Sequence, residues 1–449
     1  GVMSNPQATR TARRVRPLMP LLETLHTQEK EWGIMPYEID EDLAYIYDKS
    51  LMYGEHTWGL ANQHFVPGLT GKDWYKMYVT GLDPAYARMK ESWKEHIGYI
   101  EDAEQALRPE LENELATLTE NVAQEGFRFV VYNPLPWERG GMVNFVLPSQ
   151  GSIKEAYVKE VGTGRIYDLK VYGADSKRLG TFFAEGIPAN GYKTYILTDE
   201  SPAQVENSLK GEEQANYIEN KWYKVSFDKK KGCIRSIWDK TNKRELVDDQ
   251  SENGFGSYVY ERYDKEQSYR YLKEYIYDQY KNSHYQITGK STYLDERTKG
   301  IHESPRDMEF HVEYHKSSIR GVLTPSAFVG EEKHTAGLTV TLYENMPCID
   351  VKLSVINKPA TEEPEAGWIA LPFKTKSPEY RVGRIGSVVD PAKDLIEGSQ
   401  FNYIWSNSGI MIKDEEYSVG VCPIDAPAFV LGDLDFMHYA DTYENPRSH

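Results

Sequence analysis

The segment Tyr53-Gly54-Glu55-His56-Thr57-Trp58-Gly59 sets a carboxylate, an imidazole, a hydroxyl and an indole in a row between two glycines. A helical stretch runs out just before it, so these groups gather at a helix end. Imidazole and carboxylate bind metals or move protons, and an indole offers an apolar face to a sugar ring. Taken alone, a histidine beside a tryptophan is more often structural, because metal sites need three or four converging ligands. Glu55 and His56 are neighbours, and neighbours on a helix point in different directions, which makes them poor partners for one ion. No HxxxH or HExxH pattern accompanies His56 or His64.

Two further groups have the right residue types. Asp307, Glu309, His311, Glu313 and His315 alternate with Met308, Phe310, Val312 and Tyr314. On a strand the polar set shares one face. A metal face and the wet side of a half-buried sheet both fit, and the wet side is the commoner arrangement. Asp433 and Asp435 share a strand face, with Asp425 nearby. A retaining glycosidase needs two carboxyls about 5 Å apart, a separation that spacing alone does not give.

Helices must position the first group. Asp83-Pro84 starts a stripe of Tyr86, Met89, Trp93, Ile97, Ile100, Ala103 and Leu107, which resumes after Pro109 as Leu111, Leu115, Leu118 and Val122. That is one long helix kinked at Pro109, or two end to end. Asp40-Glu41-Asp42 opens an earlier helix, where acids suit the positive end of the dipole. Residues 7–28 read as helical, broken near Pro17 and Pro20. Such amphipathic helices bury their stripes against one another, which predicts an antiparallel bundle over 1–124. After Gln124-Glu125-Gly126 the period falls to two. Trp222–Phe227 and Ile234–Trp238 read as a hairpin. Dense short strands predict β-sandwiches: a small one over 125–200, a polar linker over 201–215, and a large one over 216–449. The fold class is therefore α+β and multidomain. Neither terminus reads as natural, so the chain is taken as part of a longer protein, with the large sandwich truncated.

Composition narrows the partners. The chain has 449 residues, 40% hydrophobic and 27% charged, with a net charge of −17. That balance argues against nucleic acid or an anionic membrane as partner, and no apolar run is long enough to span a bilayer. Arg10, Arg13, Arg14 and Arg16 read as a solvated helix face. Cys233, Cys348 and Cys422 form no CxxC, so buried free thiols are expected. The 33 tyrosines and nine tryptophans suit a protein that stacks rings on sugars. Oligomeric assembly is compatible with this composition.

Five stretches together resemble glycoside hydrolase family 38, the α-mannosidases and their relatives. They are LMYGEHTWG (51–59), VYNPLPWER (131–139), the stretch 182–195 containing EGIPANGYKTY, KGCIRSIWDKTNKRELVD (231–248), and 350–373, which ends in EAGWIALPF. Their order and spacing cover nearly the whole chain. The resemblance implies a middle helical domain followed by β domains, the larger of the galactose-mutarotase-like kind. It also implies that a preceding catalytic barrel, absent here, supplies the nucleophile, the acid/base and most zinc ligands. His56 matches the one zinc ligand given by the helical domain. Thr57 stands where well-studied members carry a sugar-contacting aspartate, and Trp58 follows as a sugar contact. The implied reaction is retaining hydrolysis of an α-linked glycoside or oligosaccharide with zinc, and the chain alone is expected to be inactive. The reading from a different class is a non-catalytic carbohydrate-binding or scaffold protein. A polysaccharide lyase is a further rival, but no Tyr/His or Arg pair stands out for it.

Overall fold

Asn5 starts the first helix: its side chain accepts from the Ala8 amide at 3.0 Å, and Pro6 follows where no amide is needed. The helix then runs from Pro6 to Glu31 (α1), through Pro17 and Pro20. The expected break is not there. Both prolines are exposed, while the buried stripe of Ala8, Ala12, Val15, Met19, Leu22 and Leu25 avoids them. The carbonyls they leave unpaired are on the wet side, where water can satisfy them. The computed structural model describes residues 5–56, 80, 84–148, 157–173, 178–201, 208–264, 266, 300–315, 317–326, 329, 334–359, 365–396 and 404–432.

The second helix, Asp40–Tyr53 (α2), has no side-chain cap and instead carries Asp40, Glu41 and Asp42 in its first turn. The third, Pro84–Glu120 (α3), is a single helix with Pro109 inside it. Val15, Met19 and Leu22 of α1, Ile46 and Tyr53 of α2, and Ile100, Ala103 and Leu107 of α3 share one apolar core. Arg16 ties α1 to the end of α2, donating to the Ser50 hydroxyl at 3.2 Å and its carbonyl at 3.1 Å. The rest of the described chain is mostly antiparallel sheet, so the fold is mixed α+β with few helices. It divides into two compact units, Gly1–Trp58 with Glu95–Asn207, and Gly59–Lys94 with Ser208–His449.

In the first unit two sheets face each other across Phe182, Tyr195, Tyr167, Val158 and Ile187. One orders its strands Arg128–Asn133, Gly191–Thr198, Tyr157–Glu160, Ile166–Asp168. The other runs Arg139–Val146, Leu179–Ile187, Lys170–Tyr172. Asn133, 1% exposed, explains two of the sequence motifs at once. Its amide donates to the carbonyls of Trp137 (2.8 Å), Pro188 (3.0 Å) and Ile187 (3.3 Å), and its oxygen accepts from the Leu135 amide (3.1 Å). The NPLPW loop is thereby pinned to the IPAN turn. Asn133→Ala is expected to cost about 2–3 kcal/mol, because buried carbonyls lose their donor; urea unfolding would measure it.

In the second unit the expected hairpin forms from Tyr223–Asp228 and Cys233–Asp239, with a bulge at Ser226/Phe227. It is the middle of a five-stranded sheet whose far strand is Lys210–Glu212. The reading of 201–215 as a linker is thus corrected from residue 208 onward. Leu209 is buried in the core, and Gly211 lies so close to Val312 and Ile319 that a Cβ would sit 2.8 Å from each. Residues 202–207 lie outside the described residues. A four-stranded sheet, Glu309–Tyr314, Ser318–Thr324, Thr335–Tyr343 and Ile349–Ile356, packs Phe310, Ile319, Leu323, Leu338 and Val340 against Val225, Phe227, Ile234 and Ile237. A three-stranded sheet orders Ile301–Glu303, Tyr258–Arg262 and Glu365–Ile369. A further sheet runs Ser387–Val389, Glu379–Arg384, Ile410–Lys413 and Ser418–Val421.

Candidate functional site

His56 sits two residues past Gly54, the C-cap of α2. Just before it, Tyr53 is 2% exposed and accepts through its carbonyl from His96 Nε2 at 2.9 Å, which anchors the helix end. The His56 side chain is 93% exposed, with Nδ1 3.1 Å from Glu55 Oε1. The two neighbours therefore meet. The helix-based expectation that they point apart fails because the helix ends at Tyr53, before either residue. A carboxylate holding Nδ1 leaves Nε2 as the accessible nitrogen, the orientation found in metal-ligating histidines. Zinc fits this chain as far as one imidazole goes: among the described residues no group of three or more His, Cys, Asp or Glu could hold a metal. Thr57, Trp58 and His64 lie outside the described residues.

The alternating strand is a wet edge. Met308 and Phe310 are buried, while Asp307, Glu309, His311 and Glu313 are exposed. Glu309–Tyr314 is the outer strand of its sheet. His311 Nε2 lies 3.7 Å from Glu309, and His315 Nε2 lies 3.6 Å from Glu313. These are surface contacts of small energetic weight. Asp433 and Asp435 lie outside the described residues, and Asp425 is exposed. The cysteines are free, but of the three expected to be buried only Cys233 is; Cys348 and Cys422 are exposed.

Two clusters escaped the sequence reading. The first joins α1 to α3. His26 Nδ1 meets Glu114 Oε1 at 2.9 Å, and Glu29 is 0% exposed. His26 Nε2, Glu114 Oε2 and both Glu29 oxygens have no hydrogen-bond partner of good geometry. Burial pushes the Glu29 carboxyl up to about 9, and Glu114 adds to the rise, against a lowering by the Leu118 backbone. The second cluster is on the three-stranded sheet. Glu261, 9% exposed, accepts from the Tyr263 hydroxyl at 2.6 Å and Trp368 Nε1 at 2.9 Å. Its other oxygen is 3.1 Å from His302 Nδ1. Its partners His302 and Trp368 are 41 and 107 residues away, so no local motif could announce it.

The class of molecule is therefore an α+β chain of helices and antiparallel sheets, with an exposed imidazole just past a helix end. Residues 218–423 match the model of the Glycosyl hydrolases family 38 C-terminal domain. That segment of the chain is thus similar to the C-terminal domain of glycoside hydrolase family 38. A solved structure of a protein in glycosyl hydrolase family 38 from Enterococcus faecalis has a similar fold, with a TM-score of 0.59 at 10% identity. The similarity covers 95% of this chain and 51% of that one, so the chain spans about half the length of its structural relative. No curated protein matches it in sequence. No helix among the described residues is long and apolar enough to cross a membrane.

Proposed function

We propose that this chain is the middle and C-terminal part of a retaining, α-mannosidase-like glycoside hydrolase that acts on α-linked sugars with a zinc ion. The observation that carries the reading is the family 38 match over 218–423, supported by fold similarity along nearly the whole chain. On this reading residues 1–124 act as a helical bundle, 125–200 as a small β-sandwich, and the residues from 208 as a mutarotase-like sandwich. The substrate is an oligosaccharide or glycoside.

His56 supplies one zinc ligand through Nε2, held in orientation by Glu55 at Nδ1. Thr57 and Trp58 contact the sugar beside it. Zinc, when bound, polarises sugar hydroxyls as a Lewis acid. The remaining ligands, the nucleophile and the acid/base come from outside these 449 residues. Thr57 bears a neutral hydroxyl, so it accepts and donates weaker hydrogen bonds than a carboxylate would.

Two measurements test this. In a protein that also carries the preceding catalytic domain, His56→Ala should weaken zinc binding by more than about a hundredfold, beyond what second-shell changes produce. Unchanged zinc affinity would remove His56 from the ligand set. The 449-residue chain alone should not turn over an aryl α-mannoside, and turnover would place the nucleophile within it.

A further inference from the structure

A helix leaves its last four carbonyls without partners of its own. In α2 these belong to Ser50, Leu51, Met52 and Tyr53, and each is met. The Gly54 amide donates to Leu51 at 2.8 Å, and the Glu55 amide donates to Met52 at 3.2 Å. The other two are met by neighbouring helices. Arg16 of α1 donates to the Ser50 carbonyl at 3.1 Å, and His96 of α3 donates through Nε2 to the Tyr53 carbonyl at 2.9 Å. A left-handed residue does not close this helix. Gly33, just past α1, lies at φ +79°, whereas Gly54 stays right-handed at φ −80°.

The end of α2 therefore depends on residues far from it in sequence, and the Tyr53 carbonyl is its last fixed point before His56. Tyr53 is 2% exposed and His96 5%, so the bond between them is buried. A buried carbonyl that loses its donor costs about 1–3 kcal/mol, and unwinding the last turn into solvent is one way to relieve that cost. His96 is well placed to hold its position. Its ring lies between those of Tyr53, at 5.6 Å, and Tyr99, at 5.8 Å by centroids. A carbonyl only accepts, so His96 Nε2 carries the hydrogen. The His56 ring, by contrast, is 93% exposed. Packing does little to aim it, so its direction comes from its backbone and from the 3.1 Å contact with Glu55. The Glu55 backbone is in turn fixed by its bond to Met52 in the last turn of α2.

We propose that His96 is a positioning residue for His56. By holding the Tyr53 carbonyl it fixes where α2 stops, and through the last turn and Glu55 it fixes the direction of the His56 ring. The importance of that direction for zinc rests on the glycoside hydrolase reading above. The fixing of the helix end does not.

Two variants separate the donor from the ring. His96→Phe keeps the aromatic packing and loses the donor, while His96→Gln brings an amide nitrogen to the place of Nε2. In the 449-residue chain, His96→Phe should speed hydrogen exchange of the Gly54 and Glu55 amides by about tenfold or more, the effect of one lost buried bond. The Leu43 amide, which donates to Ile39 at the other end of α2, should exchange as in wild type. Nitrogen NMR of the histidine side chains should show neutral His56 protonated at Nδ1 in wild type and as a mixture of tautomers in His96→Phe, because the tautomer follows the bond to Glu55. His96→Gln should restore both. A role in bulk stability alone would speed Leu43 as well and leave the tautomer unchanged. In a protein that also carries the preceding catalytic domain, His96→Phe should weaken zinc binding by about tenfold, and His96→Gln should not. If His96→Phe does not fold, His96→Asn, polar but too short to reach the carbonyl, takes its place. Wild-type exchange and tautomer in the variant without the donor overturn the proposal. So does zinc affinity that falls in His56→Ala but not in that variant. If His56→Ala leaves zinc binding unchanged, the zinc reading fails by itself, and exchange and tautomer still decide the role of His96.

Discussion

Phe182→Ala should destabilise the first unit by about 3–5 kcal/mol, the usual cost of emptying a phenylalanine site in a packed core. Phe182 is 1% exposed and stands at the centre of a ring cluster. Its centroid is 5.0 Å from Tyr195, 5.8 Å from both Phe129 and Tyr167, and 6.2 Å from Phe145, all in edge-to-face geometry. That geometry sets the positive edge of one ring on the negative face of another, which adds to simple burial. The neighbours come from both sheets, so collapse into the vacated space would require the sheets to move together. Tyr195→Phe makes the matched control. The Tyr195 hydroxyl is buried without a hydrogen-bond partner, so its removal should be neutral or stabilising. Urea unfolding of both variants would measure the contrast. A Phe182→Ala loss below about 1 kcal/mol would mean that the two sheets are not held by this cluster.

What the sequence revealed depended on how local the cause was. α3 was legible because its apolar residues recur at steps of three and four, and Tyr86, Met89, Ile100, Ala103 and Leu107 are indeed buried. The hairpin of Tyr223–Asp228 and Cys233–Asp239 was legible from alternation around an Asp-to-Gly turn. Pro17 and Pro20 misled because proline removes an amide whichever way it faces, and sequence alone does not tell a wet face from a dry one. Leu209 is one apolar residue in a polar run, too faint a signal for the strand that it anchors. The site followed the same rule. His56 was singled out from a motif at a helix end, whereas its contact with Glu55 depended on where α2 stops. Glu261 gathers His302 and Trp368 from separate strands, and only the sheet register joins them.

Glu29→Gln should make the protein more stable at about pH 8, by a few kcal/mol, and bring no comparable gain below about pH 5. The sign follows from the direction of the shift. Glu29 is raised from 4.5 to about 9 in the folded chain, chiefly by burial. Between those two values the folded state holds a proton that the unfolded state has released, so folding must take one up. Stability from this group is complete below the unfolded value and is lost as pH rises, by about 1.4 kcal/mol per unit, until the folded value is passed. The groups facing it sharpen the case. Glu114 raises the Glu29 pKa, and burial, with Glu29 adding to it, pushes the Tyr132 phenol up to about 12. His26 is bonded to Glu114 rather than to Glu29, so it offers Glu29 no compensating charge at hydrogen-bond distance. A glutamine keeps the size, needs no proton, and brings an amide donor to a place where Glu114 Oε2 lacks one. Urea unfolding followed by far-ultraviolet circular dichroism at several pH values reads the effect. Wild type and variant should diverge as pH rises, and parallel curves would show that Glu29 is ionised in the folded chain.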